Sequence, residues 1–147
     1  MPTTIAVNDP LPPPLSGQAE DEIVRQIIKI GQFSKLHDNW DSYGGKAVSL
    51  ELCEKAARYL YIAFKELLTE SQPMMMPFIA PANDGSLVFE WKSDGAELIV
   101  VFRSNAQSDV EYLTVAKSND KEFEKEGVFN SPAAFVQAVR WFSMTET

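Results

Sequence analysis

The spacing of apolar residues changes at Pro77, and no other feature constrains the fold so strongly. Before Pro77 the apolar positions recur at three- and four-residue intervals; after it they alternate, in runs rich in Val, Ile, Phe, Trp and Tyr separated by turn signals. The expected fold class is α+β: an antiparallel meander of four to five strands packed against two N-terminal helices and one C-terminal helix.

From Glu20 to about Leu36, Ile23, Ile27 and Ile30 share a helical face with Val24 and Ile28 beside them, and Glu20, Asp21 and Glu22 suit the positive end of the helix dipole. Gly31 weakens the second half by about 1 kcal/mol, so the helix is expected to end or bend before Phe33. Ser49 caps a second helix with Leu52, Ala56, Leu60, Ala63, Phe64 and Leu67 as one apolar stripe, ending near Glu70. On its solvated face Glu51 with Lys55, and Glu54 with Arg58, are spaced for ion pairing.

Strands are expected at Phe78 to Ala80, Ser86 to Lys92, Glu97 to Arg103 and Glu111 to Ala116. Asp94-Gly95 signals a type I′ hairpin between the second and third, and Pro81 to Gly85 joins the first and second. Leu87, Phe89 and Trp91 point one way, Val88 and Glu90 the other. Ile99 to Phe102 is apolar on both faces, which calls for a central strand or one covered by another element or chain. Asn119 to Glu126 reads as a loop or short edge strand. Ser131-Pro132 opens a last helix with Phe135, Val139 and Phe142 at helical spacing.

The 147 residues suit one domain, placed at 19–147 behind a proline-rich tail over 1–18 that carries Leu-Pro-Pro-Pro-Leu. That tail reads as a disordered linker, or as a polyproline II peptide for an aromatic groove. A net charge of -8 disfavours a nucleic-acid surface and suits a basic protein partner or simple solubility. Cys53 is the only cysteine, so neither an internal disulfide nor a thiolate zinc cluster is available. The broken apolar residues of the N-terminus do not form a signal peptide, and no run is long enough to span a bilayer. A cytoplasmic protein with no membrane contact and no cofactor is expected.

Chemistry concentrates in His37-Asp38-Asn39-Trp40-Asp41-Ser42-Tyr43-Gly44-Gly45, between the first two helices. Its oxygens and imidazole are of the type that binds hard cations, but the spacing fits no metal motif, and no metal site is assigned. The structural alternative has Asp41 and Ser42 bonding turn amides, the glycines taking positive φ, and Trp40 and Tyr43 docking on the sheet. Asp84-Gly85 and Glu90-Trp91 form a second cluster. There Glu90 is either a carboxylate of shifted proton affinity or a partner of Arg103 or a lysine across the sheet. Phosphate loops, dinucleotide fingerprints, nucleophile elbows and paired-histidine helices are absent from the sequence.

The run Trp40 to Gly45, the helix opening at Ser49, and Asp84-Gly85-Ser86-Leu87-Val88-Phe89-Glu90-Trp91 together resemble a family of small uncharacterised bacterial proteins with a Trp-Asp-Gly/Ser-Tyr-Gly loop and an Asp-Gly to Glu-Trp strand. The resemblance implies a bacterial cytoplasmic origin, and that Trp40 and Tyr43 pack near Glu90 and Trp91. The binding residues expected are Trp40, Asp41, Tyr43, Asp84, Glu90 and Trp91. The expected role is a non-enzymatic regulatory module, an inhibitor, antitoxin or immunity-like partner of another protein, or a homodimer that covers its own apolar strand surface. The alternative is a small metal-assisted hydrolase using Asp38, Asp41 and Glu90, with His37 as base.

Overall fold

A computed structural model describes residues 14–145, with side-chain environments from Glu20 onward. Most of the tail expected over 1–18 lies outside the described residues. Three helices and a five-stranded antiparallel sheet follow in the order α1 (Pro14–Phe33), α2 (Leu50–Thr69), β1 (Phe78–Pro81), β2 (Leu87–Lys92), β3 (Ala96–Phe102), β4 (Val110–Ser118), β5 (Lys121–Phe129) and α3 (Pro132–Thr145). The strands run in simple sequence order across the sheet, an α+β meander as the periodicities require.

Helix α1 opens at Pro14, ahead of the expected Glu20 and inside the expected tail, because proline lacks only an N–H that the first turn leaves unpaired anyway. It continues past Gly31 to Phe33, and the amides of Ser34, Lys35 and Leu36 then close tight turns on Gly31, Gln32 and Phe33. Ile23 and Ile30 are buried, whereas Val24 and Ile28 remain exposed. Helix α2 is capped by Ser49, whose hydroxyl accepts from the Leu52 amide at 3.1 Å, and its whole expected stripe is buried. Neither spaced ion pair on its outer face forms. Lys55 Nζ instead donates to the carbonyls of Ala106 and Ser108 at 2.9 and 2.7 Å, tying α2 to the β3–β4 loop.

Helices α2 and α3 lie on one face of the sheet, while α1 packs mainly along α2. Phe135 of α3 is the hub of the core. Its ring centroid lies 5.5 Å from Tyr59, 6.0 Å from Trp91 and Phe129, and 6.4 Å from Phe89 and Phe102. Such edge-on and tilted aromatic pairs add stability beyond simple burial. Trp91 also donates its indole N–H to the Met75 carbonyl at 2.7 Å, which fixes the Met74 to Met76 approach to the sheet.

One expectation about turns is overturned. Asp94 and Gly95 do not take the positive φ that a type I′ turn needs; Lys92 pairs with Glu97, and the connection is a longer one closed by Ser93 N–H to Ala96. The type I′ geometry occurs at Asn119 and Asp120, with φ of 51° and 64° between the paired Ser118 and Lys121. Of the loop or short edge strand expected at Asn119 to Glu126, this tight turn yields the strand, an edge strand of nine residues, β5.

Candidate functional site

The loop between α1 and α2 is built by short side chains that accept from its own backbone. Asp41 Oδ1 accepts from the amides of Tyr43 and Gly45 at 2.9 and 2.8 Å, Asn39 Oδ1 from Gly44 at 2.8 Å, and Asp38 Oδ1 from Ala47 at 2.9 Å. The bonds from the Tyr43 amide first, and from Gly45, outweigh desolvation and hold the Asp41 carboxyl below its usual range. Asn39, Ser42 and Gly44 take left-handed φ of 67°, 65° and 81°. Gly45 is required for space, since a Cβ there would lie 2.7 Å from Asp41 Oδ1 and 2.9 Å from Trp40 Cε2. The half-buried Trp40 donates to the Lys46 carbonyl at 2.8 Å, inside the same loop.

Tyr43 does not dock on the sheet: it is 87 % exposed, because the Asp41-centred turn directs it outward. Only the turn of the second motif meets this loop. Lys46 N–H donates to the Asn83 carbonyl at 2.7 Å, and Gly85, at φ 88°, passes so close that a Cβ would stand 3.1 Å from the Ala47 carbonyl. Asp84 caps its own turn, accepting from the Ser86 amide at 3.0 Å. Trp91 points into the core, and Glu90 stands on the opposite face of β2. The six expected binding residues therefore occupy three places: Trp40, Asp41 and Tyr43 beside Asp84, Trp91 under α3, and Glu90 on the open sheet face.

Asp38, Asp41 and Glu90 do not converge, and His37 is exposed. Among the described residues no group of three His, Cys, Asp or Glu side chains is disposed to hold a metal ion. Cys53 is buried, and desolvation pushes its thiol further from ionisation, which makes it a poor nucleophile.

The open face has a more coherent chemistry. Register places Phe78, Glu90, Ile99, Leu113 and Glu126 in one row across all five strands, and Ala80, Val88, Val101, Glu111 and Val128 in the next. Val88, Ile99, Val101 and Leu113 are half-buried among the described residues, and Phe78 is 64 % exposed. Around this apolar strip stand Glu90, Glu97, Glu122, Glu124 and Glu126, none with an ion pair among the described residues. Arg103 does not reach Glu90. It forms a forked pair with Glu111, at 2.9 and 2.7 Å, and a longer one with Asp84 at 3.5 Å. Hydrogen bonding with Glu97, then desolvation and the Glu97 charge, push the Glu90 carboxyl above the usual carboxylate range against the pull of Lys92.

No family model, curated protein or solved structure matches this chain. The likeness to the small bacterial family thus rests on the loop and strand motifs alone.

Sequence reasoning singled out Glu90 but missed Glu97, Glu122, Glu124 and Glu126 as its companions. The signal was present: in Lys121 to Glu126 the acids recur at every second position, as a strand requires. No helix among the described residues is long and apolar enough to cross a membrane.

Proposed function

We propose that the chain is a non-enzymatic binding module whose open sheet face docks a basic protein, in the manner of an inhibitor, antitoxin or immunity-like partner. The observation that carries this reading is the strip Val88, Ile99, Val101 and Leu113 bordered by Glu90, Glu97, Glu122, Glu124 and Glu126, which form no ion pair among the described residues and outnumber Lys92 and Lys117 on the same face. An apolar centre ringed by charge is the usual anatomy of a protein interface. The charge selects the partner: lysines or arginines opposite Glu90, Glu97 and Glu124 would relieve their mutual repulsion, whereas a second copy laid face to face would add to it. The chain's net charge of -8 favours encounter with a basic surface in the same sense.

The test is affinity capture from the native host with the wild type and with a Glu122→Lys/Glu124→Lys/Glu126→Lys variant, followed by titration of the recovered protein. A basic protein held by the wild type, lost by the variant and weakened by salt supports the reading. Equal binding by both chains, or a wild-type dimer in light scattering that the variant disrupts, contradicts it.

A further inference from the structure

The alternation that puts Glu122, Glu124 and Glu126 on the open face puts Lys121, Phe123 and Lys125 on the other side of β5, facing the helix layer. On that side α3 rests chiefly on β3 and leaves the outer two strands partly bare. A groove of about 610 Å³ opens there between α3, β4 and β5. Its volume falls within the roughly 300–1,000 Å³ usual for small-molecule sites.

The groove has an aromatic floor and low walls. Tyr112 lies parallel to Phe129, with centroids 4.4 Å apart and planes 8° from parallel. It can lie down because its strand partner is Gly127, where a Cβ would approach the phenolic oxygen to 2.9 Å. Trp141 of α3 and the exposed Phe123 of β5 border this floor, and Ala134 and Ala138 leave the helix side shallow.

The polar groups at its border are donors. Gln137 Oε1 accepts from Arg140 Nη1 at 2.8 Å, which leaves the Gln137 amide N–H groups as its free end. Lys125 has no ion pair among the described residues. Glu124 also borders the groove, but alternation turns its side chain toward the opposite face. An aromatic floor with an ammonium and an amide donor at its edge complements a flat apolar body that carries an acid.

We propose that this groove binds a small aromatic carboxylate, with its ring between Trp141 and Tyr112 and its acid at Lys125 and Gln137. Burial of the ring supplies the bulk of the attraction, and the charge-assisted bonds to the acid fix its orientation. The groove and the glutamate-rimmed face lie on opposite sides of the sheet, so this site stands or falls independently of the protein-docking reading.

The test titrates the ¹⁵N-labelled full chain with 2-naphthylacetate and, in parallel, with the neutral 2-naphthylacetamide. The expected result is saturable shifts of the Trp141 indole and Gln137 side-chain resonances, with Trp91 unmoved and the carboxylate bound about tenfold or more tightly than the amide. Lys125→Met is expected to abolish that preference while leaving amide binding unchanged, and Ala138→Phe to abolish binding of both probes. Thermal melts of the two variants show that each retains the fold. Absence of saturable shifts, equal affinity for the two probes, a preference that survives Lys125→Met, or shifts confined to Val88 and Ile99 would each overturn the proposal.

Discussion

The Tyr112 ring lies across Gly127 on the neighbouring strand, close enough that any Cβ at Gly127 would strike its edge. This contact joins a glycine of the charged edge strand to the aromatic floor beside α3. Gly127→Val is therefore expected to lift Tyr112 off Phe129 and destabilise the domain by about 1–3 kcal/mol, the usual cost of overpacking. In urea unfolding, Tyr112→Ala should suppress most of that loss, so the double mutant will be far from additive. Additive losses would show that Gly127 is needed for some other reason.

Phe135 contacts rings from α2, β2, β3 and β5, so it links every layer of the core. Phe135→Ala is expected to cost about 3–5 kcal/mol, and Phe135→Leu distinctly less. Equilibrium urea unfolding measures both, and a loss under 1 kcal/mol for the alanine variant would mean that the hub collapses without a cavity.

The Glu90–Glu97 pair gives the open face a pH signature. Because the folded state raises the Glu90 pKa above its ordinary 4.5, protonated Glu90 favours folding, and that contribution is lost as pH rises through the raised value. Glu90→Gln should accordingly stabilise the domain at pH 7, by roughly 0.2–1 kcal/mol for adjacent like charges on a sheet, and the gain should fade below pH 4.5. Paired thermal melts across that range decide the matter. A variant less stable than the wild type at pH 7 would indicate that Glu90 already has a cation.

Asp41 has the opposite sign. Its folded pKa lies below the ordinary 3.8, so its contribution is present above 3.8 and is lost as pH falls through the depressed value. Asp41→Asn is expected to be less stable than the wild type at neutral pH, with the gap closing in acid. Fluorescence of Trp40, which is hydrogen-bonded within the same loop, reports the change locally. A gap that stays constant with pH would assign the effect to the amide's shape rather than to the lost charge.

Much of the fold was legible because caps and periodicity act locally. Ser49 and Ser131 mark true helix starts, and the alternation of Leu87, Phe89 and Trp91 gives the buried face of β2 directly. The β2–β3 turn misled because Asp94-Gly95 has the composition of a type I′ turn, whereas pairing of Lys92 with Glu97 leaves a longer loop in which neither residue needs positive φ. β5 read only as a loop or short edge strand because acids, and not apolar residues, mark its alternation. Tyr43 was misplaced for a further reason: the hydrogen bonds of Asp38, Asn39 and Asp41 set the loop's direction, and composition alone does not reveal which amides they will find. The groove depends on where α3 comes to rest, a property of packing that no window of sequence contains.

The docking claim is tested most directly by cross-saturation NMR of the methyl-labelled chain bound to the basic protein recovered by capture. Transfer from the partner should reach the methyls of Val88, Ile99, Val101 and Leu113 and spare those of Leu52, Leu60 and Leu67 inside the helix layer. Saturation confined to the exposed Val24 and Ile28 of α1, with the open sheet face silent, would contradict the account.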